Sequence, residues 1–169
     1  MREFSVNRIA ALALVGLVFF GCAGTGNSLQ EPIERGWVER SVLARPEHQV
    51  FQTVYDTVKI DNGVADLIAK VDSGVDITVF FGTWCPDSRR QVPRFFRVAD
   101  RAGIAPDAIR LYALDRTKKS SDGLTDKYRI EKVPTFIFLK NGEEIGRITE
   151  SPTTTIEGDM LAILAGSQR

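Results

Sequence analysis

The chain has 169 residues, 43% hydrophobic and 26% charged, the composition of one ordinary globular domain. Its 22 basic and 22 acidic residues cancel, and the isoelectric point near 6.6 leaves no basic footprint for nucleic acid or an anionic membrane surface. Two cysteines and one histidine exclude a disulfide-stapled scaffold, a four-cysteine zinc site and any multi-histidine metal centre, so neither a metal nor another cofactor is implied.

The first segment reads as an address. Arg2 and Arg8 flank a short polar start, and residues 9–20 carry no charge and end in Phe19-Phe20 before Gly21-Cys22. A spanning helix needs about 20 apolar residues to cross roughly 30 Å of hydrocarbon, so residues 1–21 are expected to be a secretory signal peptide that is cut away. Gly21-Cys22 and the Gly-rich polar run 23–28 resemble a bacterial lipobox with its tether. That resemblance implies a lipid on Cys22, which becomes the mature N-terminus and anchors the protein to a membrane of the cell envelope. Phe19 and Phe20 depart from the pattern, which prefers leucine and then a small residue. The alternative is cleavage after Ala23, which gives a soluble periplasmic protein. In both cases the protein is exported, and residues 22–49 read as a tether and N-terminal extension. Export also leaves Cys85 as the only thiol in an oxidising compartment, where unpaired cysteines are unusual.

Along the rest of the chain, Trp37, Val38, Val42 and Leu43 fall at helical spacing ahead of Pro46 and predict a short helix within 31–49. Residues 50–60 alternate and are rich in Val, Thr, Tyr and Phe, which predicts a strand, with Asn62-Gly63 as the turn after it. Val64, Leu67, Ile68 and Val71 predict an amphipathic helix closed by Ser73-Gly74. Ile77-Thr78-Val79-Phe80-Phe81 is a continuous apolar, branched and aromatic run, as in a strand covered on both faces. Gly82-Thr83-Trp84-Cys85-Pro86-Asp87-Ser88 follows, and then Val92, Phe95, Phe96 and Ala99 mark one face of a long helix that contains Pro93. Cys85 is therefore expected where a central strand gives way to a helix. Residues 109–114 predict a strand ending at Asp115, and 124–130 a short helix. Residues 135–139 predict a strand that Asn141-Gly142 turns into another over 144–148. A last helix with Ile156, Met160, Ile163 and Leu164 on one face closes an α/β layered domain.

Four features together resemble the thioredoxin family over roughly residues 50–169: Trp84-Cys85-Pro86-Asp87-Ser88, Pro93 five residues after Ser88, Tyr128 with Ile130, and Val133-Pro134-Thr135 running into Phe136-Ile137-Phe138-Leu139-Lys140-Asn141-Gly142-Glu143. The resemblance implies the thioredoxin fold, a central mixed sheet flanked by helices, for a thioredoxin-like domain over 50–169. It also implies a cis peptide before Pro134, with that proline against the Cys85 sulfur and the Val133 backbone free to pair with an extended client. Cys85 and Ser88 are then the expected catalytic positions, and Trp84, Pro86, Val133, Pro134 and Thr135 the expected substrate-binding wall. Two departures carry weight. Thioredoxins have a second cysteine where Ser88 stands, so no internal disulfide can form and the dithiol reductase cycle is excluded. The family also tends to bury an aspartate six residues before the first cysteine, where this chain has Val79; without a resolving thiol, no buried base for it is needed.

What remains is a monothiol site. The unpaired N–H groups and positive dipole end of a helix N-terminus favour a thiolate there. Ser88 can place its hydroxyl near the sulfur or cap the helix, Arg89 and Arg90 read as a solvated helix face, and Asp87 opposes their charge. A thiolate lacking a resolving partner attacks a disulfide and holds the mixed disulfide until an outside thiol releases it. The expectation is an anchored monothiol oxidoreductase or isomerase acting on exported protein thiols or disulfides, or on a small-molecule thiol. The other reading is a redox-inactive module whose cis-proline groove binds an exported partner. A peroxidatic cysteine fits less well, because peroxiredoxins carry threonine where Gly82 stands. His48, in a Pro-Glu-His-Gln stretch, is expected to be solvated, and Asp115 to cap a turn.

Overall fold

The computed structural model describes residues 32–71 and 74–167; Cys22 and the expected signal peptide lie outside them. Two buried strands set the architecture, β2 (Val75–Phe81) and β4 (Thr135–Lys140). Successive side chains on a strand point to opposite faces, so Ile77, Val79, Phe81, Phe136 and Phe138 join one apolar cluster while Phe80, Ile137 and Leu139 join another. With β1 (Gly36–Val38), β3 (Ile109–Ala113) and β5 (Glu143–Thr149) they form a mixed sheet in the order β1-β3-β2-β4-β5. β2 and β3 run parallel and every other pair antiparallel. Asn141 and Gly142, with φ of 53° and 82°, make the left-handed turn that joins β4 to β5, as their sequence predicts.

The first face is covered by α1 (Gln49–Thr57), α2 (Asn62–Ile68), α3 (Pro86–Ala102) and α5 (Ile156–Gly166), which contribute Phe51, Ile68, Phe95 and Met160 to its core. α3 ends on Gly103, whose φ of 70° lets its N–H reach the carbonyls of Ala99 and Asp100. Among the described residues the second face has only α4 (Leu124–Lys127) and loops, so its cluster is smaller, and Cys85 belongs to it. The expected α/β thioredoxin fold, a mixed sheet flanked by helices, is what the chain adopts.

Several local expectations are corrected. The strand predicted over 50–60 is instead helix α1, Gln49–Thr57, followed by extended chain: Phe51, Val54, Tyr55 and Val58 are the covered positions, a helical period that the β-branched composition masks. The helix predicted within 31–49 is instead edge strand β1 followed by two single turns, Arg40–Ala44 and Pro46–His48. The expected N-terminal extension thus supplies a strand of the sheet. Asn62-Gly63 opens α2 instead of turning the chain, because the Asp61 carboxylate accepts from the Val64 N–H at 3.1 Å and caps the helix. That helix ends at Ile68, well short of Gly74.

One polar network fastens this N-terminal stretch to α3. Arg40 donates to both oxygens of Asp100 at 2.7 and 2.6 Å and stacks 4.1 Å from the Phe96 ring, and the Tyr55 hydroxyl donates to Asp100 at 2.7 Å. Burial works against ionising Asp100, but the hydrogen bonds from Arg40 and Tyr55 outweigh it and hold the carboxyl below the usual carboxylate range.

Candidate active site

β2 delivers the chain to the site and α3 carries it away. Between them Gly82-Thr83-Trp84-Cys85 makes a tight turn, closed by the Cys85 N–H on the Gly82 carbonyl at 3.0 Å. Cys85 is the N-cap of α3 with an extended backbone, and Pro86, exposed, is its first helical residue, where a missing N–H costs nothing. The Val133–Pro134 peptide is cis, as expected. The thiol donates to the Val133 carbonyl at 3.2 Å and Cys85 is only 6% exposed, so the sulfur faces the cis-proline loop with little surface open to solvent. Cys85, Val133 and Pro134 are therefore brought together.

Ser88 does something other than touch the sulfur. It is fully buried, and its Oγ accepts the Gly82 N–H at 3.1 Å, which ties the first turn of α3 to the end of β2. Thr135 is also buried, and its hydroxyl donates to the Lys132 carbonyl at 2.7 Å, shaping the loop that carries Pro134. Pro134 in turn accepts the Glu150 N–H at 2.6 Å. Trp84 is half-buried: its indole N–H donates to the Leu114 carbonyl at 2.8 Å, and the Arg116 guanidinium lies 5.0 Å over its ring. A Cβ on Gly82 would sit 2.6 Å from the indole nitrogen, so the packing of Trp84 requires glycine there.

The charged rim is paired. Arg90 contacts Asp87 at 2.6 Å on the exposed face of α3, as read from the sequence. Lys132 contacts Glu150 at 2.6 Å, and that hydrogen bond raises the lysine above its ordinary value. Arg89 departs from the expected solvated face and turns back to donate to the Thr83 carbonyl at 2.6 Å. Asp115 caps its turn by accepting the Thr117 N–H at 2.8 Å; the Thr117 hydroxyl and then Arg35 hold its carboxyl down at about 2. His48 is not solvated. It is completely buried, with Nε2 3.2 Å from Glu34 Oε1. Thr83, Glu34 and His48 were not legible as site residues, because their connections join positions far apart in the chain.

Fold and site together define a thioredoxin-fold protein with one cysteine at the head of the helix that follows its central strand. A family profile described as thioredoxin matches residues 43–162, and the chain belongs to that family. Thioredoxin Y, a chloroplastic protein of Oryza sativa subsp. japonica, is 33% identical over 82 residues, which span 48% of this chain and 45% of the rice protein. A thioredoxin of Malassezia sympodialis is 27% identical over 94 residues, covering 54% of this chain and 86% of the relative. The chain thus spans less than half the length of the chloroplastic relative. A crystal structure of a protein of unknown function from Pseudomonas aeruginosa superposes with a TM-score of 0.51 at 17% identity, over 70% of this chain and 81% of that one, a likeness of fold alone.

Proposed function

We propose that the protein is an exported, membrane-anchored monothiol thioredoxin that exchanges disulfides through Cys85. The observation that carries this reading is the Cys85 sulfur lying at the start of α3 against the cis-proline loop, with a serine, Ser88, where a resolving thiol would stand. In the reaction the Cys85 thiolate attacks one sulfur of a client disulfide. A Cys85–client disulfide forms, the client's own S–S bond breaks, and its second sulfur leaves as a thiolate. An outside thiolate, small or protein-borne, then attacks the client sulfur of the mixed disulfide: a bond between the outside sulfur and the client forms, the Cys85–client bond breaks, and Cys85 leaves as a thiolate that takes a proton. No cofactor takes part. Trp84 and Pro86 flank the sulfur and are the side chains a client chain would meet, the cis-proline loop of Val133 and Pro134 lies behind it, and Thr135, buried, shapes that loop. Export follows from residues 1–21 read as a signal peptide, and anchoring from a lipid on Cys22.

The test is to quench cells producing the protein with acid and alkylating agent and to separate proteins without reductant. Discrete Cys85-dependent mixed disulfides, absent in Cys85→Ser and shortened in lifetime by Ser88→Cys, are expected. Their absence from the native protein rules the exchange reading out. Cys22→Ser should move the protein from membrane to soluble fractions, and unchanged membrane association contradicts the lipid anchor.

One observation favours a second reading. The thiol is nearly covered and spends its proton on the Val133 carbonyl, which suits a groove that binds a partner without electron transfer. That module would capture the same partner equally well as Cys85→Ser.

A further inference from the structure

The segment ahead of α1 reaches the active-site turn. The Thr83 hydroxyl donates to the Pro32 carbonyl at 3.2 Å, and the Glu34 N–H approaches the same hydroxyl oxygen at 3.5 Å. Thr83 stands two residues before Cys85 and is 1% exposed, and its own carbonyl accepts from Arg89. It is therefore gripped from the N-terminal segment on one side and from α3 on the other.

That segment is itself anchored at several points. Arg35 pairs with Asp115 at 2.9 Å beyond the end of β3, and β1 pairs along β3 through Gly36, Trp37 and Val38. Glu34 Oε1 meets Arg45 at 3.1 Å and His48 Nε2 at 3.2 Å. His48 packs edge-on to Phe51, and its Nδ1 has no hydrogen-bond partner among the described residues. A fully buried imidazole with one nitrogen unpaired is a costly group to keep. Its remaining nitrogen is directed at the carboxylate that holds the segment down. Residues 32–42 lie ahead of the stretch that matches the family.

We propose that residues 32–48 are a strap that positions the Cys85 turn, with Thr83 as the residue that latches it and the Glu34–His48 pair as its buried anchor. The proposal deepens the reading above and rests on Cys85 being the reacting thiol. With Thr83 held, Trp84 and Cys85 are fixed and the sulfur stays against the Val133 carbonyl. With Thr83 released, the turn opens locally and the sulfur gains access to solvent and to disulfides. Thr83, Glu34 and His48 are positioning residues that act through the backbone of the turn; the hydrogen bond of the sulfur itself goes to Val133.

The test is the second-order rate of Cys85 with a small aromatic disulfide, measured on the purified full chain carrying Cys22→Ser, alongside urea unfolding. Thr83→Val, which keeps the shape and removes the hydroxyl, should raise the rate by about threefold or more through local opening while the protein remains folded. Thr83→Ser, which restores the hydroxyl, should return the native rate. Ile68→Val, a core change on α2, should lower the urea unfolding midpoint and leave the rate unchanged. A native rate in Thr83→Val, or an equal rise in Ile68→Val, overturns the strap, because the rate would then be indifferent to the latch or merely follow global stability. Should Thr83→Val not fold, Glu34→Ala gives the same decision: a rise supports the strap and a native rate overturns it. A chain that captures no client but whose thiol still responds to Thr83→Val refutes the exchange reading and leaves the strap standing.

Discussion

The two faces of the sheet are covered by different means. Over one, four helices press Phe51, Ile68, Phe95 and Met160 onto Val79, Phe81 and Phe136, all buried. Over the other, Phe80, Ile137 and Leu139 are roofed by one four-residue helix, the side chains of Trp84 and Tyr128, and the loops that hold Cys85 and Val133. The first face is built for burial, and apolar area removed from water is the main source of stability. The second contains the reactive group, and its roof is made of turns fastened by single hydrogen bonds: Cys85 to Gly82, Ser88 to Gly82, Trp84 to Leu114 and Thr83 to Pro32. Such a roof opens at less cost than a helix layer. A buried nucleophile has to be placed where local opening is affordable, and the thin face is that place.

Neighbouring residues of β4 put this contrast to the largest test. Phe136 points into the helix-covered core and Ile137 under the site. Phe136→Ala should cost about 3–5 kcal/mol in urea unfolding and leave the Cys85 reaction rate of the folded fraction unchanged. Ile137→Ala should cost about 2–3 kcal/mol, the low part of the range for such deletions, since loops collapse more readily than helices, and should alter the Cys85 rate. Equal costs with equal effects on the rate would erase the distinction between the faces.

A smaller effect is expected at the turn. Gly82→Ala places a methyl group against the indole nitrogen of Trp84, which must leave the Leu114 carbonyl. The cost should be about 1–3 kcal/mol, with tryptophan emission shifted to the red. Ser88→Ala leaves the buried Gly82 N–H without its acceptor and should cost about 1–2 kcal/mol. An unaltered unfolding midpoint in Ser88→Ala would show that the serine is not a fastening of the roof.

The smallest effect is electrostatic. The Asp115 carboxyl is held at about 2 in the folded protein, below its ordinary value of 3.8. A depressed folded value stabilises above the unfolded value and is lost as pH falls, so this contribution is complete above about pH 4 and disappears toward pH 2. Asp115→Asn should therefore lie closer in stability to the native protein at pH 2 than at pH 6. The carboxylate is half-buried at a surface turn and its partner Arg35 is exposed, so solvent screens the pair and the difference will be small.

How much of this was readable in the sequence follows from the reach of each interaction. Strands β2 to β5, helix α3 and the hairpin at Asn141-Gly142 have strong local patterns and are found where the sequence puts them. The juxtaposition of Cys85 with Val133 and Pro134 was legible only through the resemblance to thioredoxins, since 48 residues separate Cys85 from Val133. The composition of helix α1 points to a strand because Val, Thr, Tyr and Phe favour strands on average; packing of Phe51 and Tyr55 beside α3 decides otherwise. His48 looked like a loop residue because its neighbours are polar, yet its carboxylate partner is 14 residues away. The spacing of Ser88 from Cys85 leaves its hydroxyl a place near the sulfur or at the helix cap, and the fold gives it the Gly82 N–H at the end of β2 instead. Residue type singles out Cys85 and Ser88 but not His48, and only the folded chain shows what each one holds.

The most direct measurement is intact-mass analysis of the purified chain, carrying Cys22→Ser, after exposure to glutathione disulfide and then to free dithiol, with Cys85→Ser in parallel. The account predicts a single glutathione adduct on Cys85 that persists until the dithiol is added, and none in the control. A folded chain whose Cys85 forms no adduct, or whose adduct is lost without an added thiol, would contradict monothiol exchange.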